Sequence, residues 1–137
     1  MDDCIFCKIR DGKIPSLKIL DDAHHVAIMD IHPGSKGHCL VIPKQHREQI
    51  YDMTNEELER VGPVLKKVAT ACREGLGCDG VNLVQSNGSV AFQSIFHVHF
   101  HVVPRYSDDN IRLPWSPKPA DPKELESIAA KIKNWIR

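Results

Sequence analysis

Three histidines alternate with large apolar residues within residues 96–103. β-branched and aromatic residues repeating with a period of two predict a strand. Because residues i, i+2 and i+4 share one face of a strand, His97, His99 and His101 are expected on one side, with neighbours about 6.5–7 Å apart. The apolar residues that follow each histidine are expected to enter the core on the other side: Val98, Phe100 and Val102. Three histidines fill a sheet face poorly, so this face is predicted to carry chemistry.

The composition narrows the class of protein. A chain of 137 residues predicts one domain, 1–137, with a substantial core. With 26% charged residues and zero formal net charge, no binding to nucleic acid polymers or anionic membranes is expected. No apolar run approaches the ~20 residues of a membrane span, and the acidic start at Met1, Asp2 and Asp3 is unlike a signal peptide. Five cysteines without a disulfide-framework spacing predict a reducing, cytoplasmic location.

The element pattern predicts an α+β fold: an antiparallel sheet of about five strands, one long helix and a C-terminal helix. A short helix or turn is expected at 4–11, a hairpin at 17–31, and further strands at 38–43, 81–84 and 95–103. Thr54 and Glu57 form a capping-box signature for the long helix, which is expected to stop near Gly75 and Gly77. Pro63 can kink it. The last helix, about 121–136, should present one apolar face: Leu125, Ile128, Ile132 and Trp135.

The histidine stretch admits three interpretations. It could be a core strand with incidental histidines. It could be a three-histidine metal centre, although such a site usually needs a further ligand or an acidic partner, and neither the strand nor its preceding loop offers Asp or Glu. The preferred interpretation makes His99 a nucleophile toward phosphorus, because an imidazole with a pKa of ~6.5 is largely neutral at pH 7. The polar, small-residue loop 85–94 suits an anion.

Three segments resemble the histidine triad (HIT) family of nucleotide hydrolases and transferases. Residues 97–103 resemble its histidine signature, 30–46 its other characteristic segment, and 4–9 its N-terminal start. The match covers about 4–105, leaving a C-terminal extension. The resemblance implies a HIT-like fold, a homodimer, a cleft for a purine nucleoside monophosphate, and catalysis through a covalent nucleotidyl-histidine.

The resemblance also assigns catalytic roles. His99 would be the nucleophile, and the His97 backbone carbonyl would hold its far nitrogen as a donor. His101 would donate to the α-phosphate, and Ser94 would contact phosphate and assist the leaving group. His38 corresponds to the family's fourth histidine, near the triad, and would be one of the nucleotide-binding residues.

The remaining binding roles concern the nucleotide. Asp30 would bind the ribose, because a carboxylate can accept from two vicinal hydroxyls. Gln93 and Ser86 would lie at the phosphate. The base pocket would be walled by Ile5, Phe6, Ile9, Ile28 and Ile31.

Two positions depart from the family pattern. Ser86 stands where relatives usually carry Asn or Gln, and Phe92 stands where glycine is common. The first loses an amide contact, and the second can restrict the approach of the backbone to phosphate. Both put the rate and the substrate choice in doubt, but not the nucleophile.

Cys4 and Cys7 form a CxxC pair, which by itself fits a redox pair, half a zinc site or coincidence. A thioredoxin-like pair needs a βαβ setting that is missing here. The zinc-bearing branch of the family implies His46 and His97 as the other ligands, giving one structural Zn²⁺ per chain with no open position. That zinc would also fix the His97 backbone behind His99. No catalytic metal is expected.

The other cysteines and histidines are expected to have no role in the site. Cys39, Cys72 and Cys78 should pack or sit idle, and His24, His25 and His32 should be surface or turn residues. Only His32 lies close enough in sequence to Asp30 to line the cleft.

The sequence thus predicts a HIT-family nucleotide hydrolase that cleaves at the α-phosphorus and releases AMP or GMP. His101, where the transferase branch has glutamine, favours hydrolysis. The pair Gln93-Ser94 resembles the phosphoramidate branch, whereas the CxxC and C-terminal helix also occur in diadenosine polyphosphate hydrolases. The alternatives are a nucleotide-binding scaffold or regulatory protein with little activity, favoured by Ser86 and Phe92, and a metal-dependent hydrolase using all three histidines.

Overall fold

The computed structural model describes residues 3–112 and 114–136. Met1 and Asp2, which belong to the acidic start noted above, therefore lie outside the described residues. The α+β architecture is confirmed. In chain order the elements are α1 (Ile5–Arg10), β1 (Lys18–Asp21), β2 (His25–Met29), β3 (Cys39–Pro43), α2 (Asn55–Leu76), β4 (Gly80–Val84), β5 (Phe100–Arg105) and α3 (Pro122–Lys133), with short 3-10 helices at Ile50–Asp52 and Ser89–Ala91.

The five strands form one antiparallel sheet in the order β1-β2-β3-β5-β4. β1 and β2 form the expected hairpin, and β3 is the central strand. Leu40 of β3 pairs with His101 of β5 and with Ile28 of β2. This register places β5, which carries His101, beside β3.

The alternation of side chains along β2 and β3 divides the core into two layers. On one face, Ala27, Val41 and Val102 pack with the buried side of α2. On the other face, the apolar cluster contains Phe6 and Ile9 of α1 together with Val26, Ile28, Leu40 and Ile42. The short α1 packs on this second face together with Ile14 and Ile95, and the cleft described below lies beside α1.

The long helix α2 begins and ends where its sequence signals predict. The Thr54 hydroxyl accepts from the Glu57 backbone N–H, and the Glu57 carboxylate accepts from the Thr54 N–H. The helix ends at Gly77, whose φ of 64° is left-handed and favours glycine. It runs without interruption through Pro63.

The histidine strand is shorter than predicted. β5 begins at Phe100, so His97 and His99 precede it and the three histidines do not line one strand face. Residues 95–97 form a bend, and the Val98 N–H donates to the Arg47 carbonyl (2.6 Å) outside the sheet ladder. The buried positions of Val98, Phe100 and Val102 are as predicted.

The C-terminal helix α3 follows an irregular connection, as expected, although Leu113 within that connection lies outside the described residues. Its apolar face is exposed to solvent. Over the described residues, no helix combines the length and apolarity needed to cross a membrane.

Candidate functional site

A cleft of about 450 Å³ is lined by residues of α1, β2, β3 and the segment before β5, and its volume is within the size range of small-ligand sites. All five apolar wall residues predicted from the sequence line it, as do Asp30, His32, Ser94, His99 and His101. Further lining residues were not predicted: Ile14, Pro15, Ser16, Met29, Leu40 and Ile95. Leu40 could have been found, because it alternates with Ile42 on the face that Ile28 shares. Residues 14–16 carry no such signal.

His99 is anchored with one nitrogen committed and the other free. Its Nδ1–H donates to the His97 backbone carbonyl at 2.7 Å, so in the neutral ring Nε2 carries the lone pair. The Phe6 ring packs edge-on against the imidazole at a centroid distance of 4.9 Å. Burial lowers the pKa of His99, so the ring is neutral at pH 7. It combines the protonation state of a nucleophile with a fixed orientation.

His101 lies next to His99, with ring centroids 5.0 Å apart. Burial, reinforced by the neighbouring His99 and His38, lowers the pKa of His101 to about 4. His38 Nε2 lies 2.9 Å from His101 Nδ1 and 3.5 Å from the Asp30 carboxylate. His38 is buried and does not line the cleft. Of the cleft residues, it contacts His101 and lies near Asp30.

The polar loop contributes less to the cleft than its composition predicts. Ser94 lines the cleft and is exposed, which suits its predicted role. Gln93, predicted to contact phosphate, is buried: its amide donates to the Glu48 and Ile95 carbonyls and accepts from the Gly88 N–H. Because these bonds occupy both ends of its amide, Gln93 holds the loop. Ser86 does not line the cleft.

Phe92 is strained in the loop. It is 78% exposed and has a φ of 73°, in the left-handed region that costs a residue with a Cβ about 1–2 kcal/mol. Phe92 therefore replaces the family's common glycine at a position where the backbone conformation favours glycine. The side chain does not line the cleft.

Phe92→Gly is expected to raise the free energy of unfolding by about 0.5–1 kcal/mol, because strain relief exceeds the entropic cost of glycine. Urea unfolding would measure it. Val90→Gly is the matched control, since Val90 is 98% exposed in the same loop without a positive φ, and it should destabilise by about 0.5 kcal/mol. Equal effects of the two substitutions would contradict the strain.

Cys4, Cys7, His46 and His97 converge from α1, the segment after β3 and the bend before β5. His97 Nδ1 lies 3.3 Å from Cys4 Sγ, 3.6 Å from Cys7 Sγ and 3.1 Å from His46 Nδ1. Cys7 Sγ lies 3.4 Å from His46 Nδ1. Around a tetrahedral zinc, bonds of about 2.3 Å to sulfur and 2.0–2.1 Å to nitrogen separate S from N by about 3.5 Å and N from N by about 3.3 Å. The four side chains could therefore hold such an ion.

The orientation of His97 also fits a metal ligand. Its Nε2–H donates to the Pro43 carbonyl at 2.8 Å, which leaves the Nδ1 lone pair facing the two thiols. Burial lowers the pKa of His97 to about 4, so this lone pair is free at pH 7. A backbone partner on the second ring nitrogen is typical of metal-bound histidine.

The three histidines of the motif do not form one metal centre. Within residues 3–112 and 114–136, His97 belongs to the Cys4–Cys7–His46 group, whereas His101 groups with Asp30 and His38. His99 belongs to neither group.

The remaining cysteines and histidines mostly lie as expected. Cys39, Cys72 and Cys78 are buried in the core, where burial, with Cys72 nearby, raises the pKa of Cys39 to about 12. His24 and His32 are exposed. His25 was predicted at the surface or in a turn, but it is 4% exposed at the start of β2, with Nδ1 3.1 Å from the Asp22 carboxylate. The histidine pairs with this turn carboxylate, which offsets the cost of burying it.

Comparison with known proteins gives consistent relationships. The HIT domain family profile matches residues 11–108. The adenosine 5′-monophosphoramidase hnt1 of Schizosaccharomyces pombe is 37% identical over 135 residues, covering 98% of each chain. A crystal structure of a HIT-family protein from Bacillus subtilis has a TM-score of 0.92 at 38% identity, covering 98% of each chain. A zinc-bound histidine triad family protein from Mycobacterium smegmatis has a TM-score of 0.77 at 36% identity, covering 97% of each chain.

Proposed function

The chain belongs to the HIT domain family, and on this basis we propose that it is a hydrolase of purine nucleotides with a leaving group on the α-phosphate. The observation that carries the proposal is the geometry of His99. A buried imidazole whose Nδ1–H donates to a carbonyl of its own chain, and whose other nitrogen is unprotonated beside the cleft, has the arrangement that a nucleophile needs.

In the proposed reaction, His99 Nε2 forms a bond to the α-phosphorus while the bond to the leaving group breaks. The leaving group takes a proton from the hydroxyl of Ser94, which lines the cleft, and the water of the second step returns a proton to Ser94. Water then attacks phosphorus, breaks the P–N bond and releases the nucleoside monophosphate with the free imidazole. His101 donates to the phosphate oxygens and stabilises the charge that develops there.

The nucleotide is proposed to bind with its base among the isoleucines and Phe6, and its ribose at Asp30. Asp30 Oδ1 accepts from the His32 backbone N–H, which orients the carboxylate at the cleft edge. AMP or GMP would be the product. The name of the Schizosaccharomyces pombe relative supports an adenosine phosphoramidate as substrate. Dinucleoside polyphosphates are the second candidate, because they present the same α-phosphorus.

Cys4, Cys7, His46 and His97 are proposed to hold one structural Zn²⁺. When bound, the ion would cross-link α1 to the bend before β5. Since His97 also supplies the carbonyl that receives the His99 Nδ1–H, rigidity at the cluster is proposed to maintain the orientation of the nucleophile.

The assembly and the location of the protein remain predictions from the family resemblance and the composition. A homodimer, a cytoplasmic location, one domain over 1–137, and no binding to membranes or nucleic acid polymers belong to the proposal. The competing function is a nucleotide-binding scaffold. The sequence analysis counts Phe92 in favour of the scaffold. Because the strained, exposed Phe92 does not line the cleft, its position in the structure weakens that support.

The substrate class can be tested by supplying adenosine 5′-phosphoramidate, guanosine 5′-phosphoramidate and diadenosine tetraphosphate separately and quantifying nucleoside monophosphate by chromatography. We expect turnover of the adenosine phosphoramidate at a kcat within the range of about 1–10³ s⁻¹ typical of enzymes. Binding of AMP without turnover of any of the three compounds would favour the scaffold.

A further inference from the structure

A cavity of about 370 Å³ lies between the β1–β2 turn, the end of β3 and the first turns of α2. It shares no lining residue with the cleft, and its volume is also within the range of small-ligand sites. His25 and Ala27 alternate along β2 with Val26 and Ile28, and Ala27 packs on the α2 face whereas Ile28 packs on the cleft face. The cavity therefore lies on the side of the sheet that α2 covers.

His25 lines this cavity with one ring nitrogen held by Asp22 and the other open. The side chain of His25 is only 5% exposed, with Nδ1 3.1 Å from the Asp22 carboxylate. Burial by itself would raise the pKa of Asp22, but hydrogen bonds from the backbone N–H groups of His24 and His25 lower it overall. The carboxylate is therefore an ionised acceptor at pH 7, and His25 Nδ1 carries a proton.

The second nitrogen of His25 distinguishes this ring from an ordinary buried histidine. Within the part of the chain that the structure describes, Nε2 has no hydrogen-bond partner, and it is not one of the polar atoms sealed from solvent. It therefore opens to the cavity, where a ligand can reach it.

The charged groups around the cavity leave one cation uncompensated. Lys44 Nζ pairs with the Asp21 carboxylate at 2.6 Å, and the Glu57 carboxylate pairs with Arg47 at 2.9 Å. Arg60 also lines the cavity, and it has no ion pair or hydrogen bond with another described residue. Its guanidinium therefore offers all of its donors to a ligand.

Two further polar side chains face the cavity without a hydrogen bond from any other described residue, namely the His24 ring and the Gln45 amide. The His24 ring packs edge-on beside His25 at a centroid distance of 6.3 Å. Amide and ring N–H groups donate to oxyanions, and a guanidinium binds phosphate or sulfate through two parallel hydrogen bonds. The chemistry of the cavity wall thus suits an oxyanion.

We propose that this cavity is a second ligand site, which binds a tetrahedral oxyanion such as a phosphate group through Arg60 and the Nε2–H of protonated His25. Asp22 stabilises the imidazolium by holding its Nδ1–H, and the anion accepts from the opposite side of the ring. The phosphate group can be inorganic phosphate or part of a small phosphorylated molecule. The site is independent of the proposed hydrolysis, because it shares no residue with the cleft.

A metal ion is the competing occupant, because His24, His25 and Glu57 are all potential ligands. Over residues 3–112 and 114–136, none of these three belongs to a group whose ligand atoms lie within 4.8 Å of one another. The Glu57 carboxylate is also bonded to Arg47. A structural role in the turn would explain the pairing of His25 with Asp22, but not the open Nε2 or the uncompensated Arg60.

Sodium sulfate is the first probe, with the ionic strength held constant by sodium chloride, and histidine ¹⁵N NMR of the full-length protein reports binding. The His25 signals are assigned from their loss in His25→Gln. We expect these signals to shift in a saturable way and Arg60→Gln to weaken sulfate binding about 10-fold, as for the loss of hydrogen bonds to a charged group. Lys67→Gln is the matched control, because Lys67 is an exposed cation two turns along α2 that does not line the cavity. Equal weakening by both substitutions would overturn the proposal.

The dependence of sulfate binding on pH tests the role of His25, because sulfate stays a dianion between pH 6 and pH 8 whereas histidine changes its charge there. We expect sulfate affinity to fall at least about 3-fold from pH 6 to pH 8 in the wild type and in His24→Gln, but to stay nearly constant in His25→Gln. The absence of a saturable shift, or the same pH dependence in His25→Gln, would overturn the proposal. Arg60→Gln changes only an exposed side chain, so its result does not depend on whether His25→Gln folds.

Inorganic phosphate and AMP distinguish the two sources of the phosphate group when each is titrated against the same His25 signals. Tighter binding of inorganic phosphate identifies a site for the free anion, and tighter binding of AMP identifies a site for a phosphorylated molecule. Failure of both to shift the His25 signals would overturn the proposal and leave the hydrolysis proposed at His99 untouched.

Discussion

His99→Ala is expected to lower the kcat for adenosine 5′-phosphoramidate by a factor on the order of 10⁴–10⁶, the scale seen when a covalent nucleophile is removed. Neither of the other two histidines of the motif can replace it. His97 Nε2 is bonded to the Pro43 carbonyl and its Nδ1 faces the cysteines, and His101 Nδ1 is occupied by His38. Binding of AMP should persist, because the apolar walls and Asp30 remain. Steady-state release of AMP measures the loss.

Intact-mass analysis of acid-quenched enzyme tests the same residue through the intermediate. Wild-type protein mixed with substrate should gain the mass of one nucleoside monophosphate, and His99→Ala should not. His24→Ala is the control, because this exposed ring lies away from the cleft lining. A preserved thermal midpoint would show that the loss is chemical, since His99 also packs against Phe6. Equal rates for the variant and the wild type would remove the covalent mechanism.

The local signals of the sequence predict most of the fold. Short apolar runs predict β2 and β3, and the Thr54–Glu57 pair predicts the start of α2, because each depends on residues within a few positions of one another. The predicted start of β5 was wrong because it depends on a residue that is distant in the sequence. Alternation continues to residue 96, but the Arg47 carbonyl, about fifty positions away, takes the Val98 N–H out of the ladder. Periodicity carries no information about such a distant partner.

The same distinction explains the candidate site. The HIT resemblance places His99, Asp30 and the apolar walls at the cleft, where the structure has them. The resemblance identifies positions and not hydrogen bonds. The Gln93 amide could bind phosphate, yet it is hydrogen-bonded to the backbone of Glu48, Gly88 and Ile95. The link between His38 and His101 spans 63 positions and follows only from the pairing of β3 with β5.

Removing the proposed zinc is the second change with a large expected effect. Cys7→Ala should reduce bound zinc from about one per chain to near zero and lower the thermal midpoint by roughly 10–15 °C, as expected for the loss of about 4 kcal/mol of ligand stabilisation in a domain of this size. The four candidate ligands come from three separate segments, so the loss is expected to free α1 from the bend before β5. Metal analysis and calorimetry would measure both quantities. Cys78→Ala is the matched control: this core cysteine lies outside the cluster, so the variant should keep its zinc.

Activity after zinc removal separates a structural ion from a catalytic one. His97 supplies both a candidate ligand atom and the carbonyl that holds His99, so a structural zinc acts on turnover through orientation. We expect the activity of the chelated protein to fall about 10–100-fold, which is the usual effect of disturbing a residue that orients a functional side chain. Its thermal midpoint should fall as well. A catalytic metal would instead abolish turnover while the thermal midpoint stayed unchanged. That outcome would return the three-histidine hydrolase to consideration, even though His97 and His101 belong to separate groups in the structure.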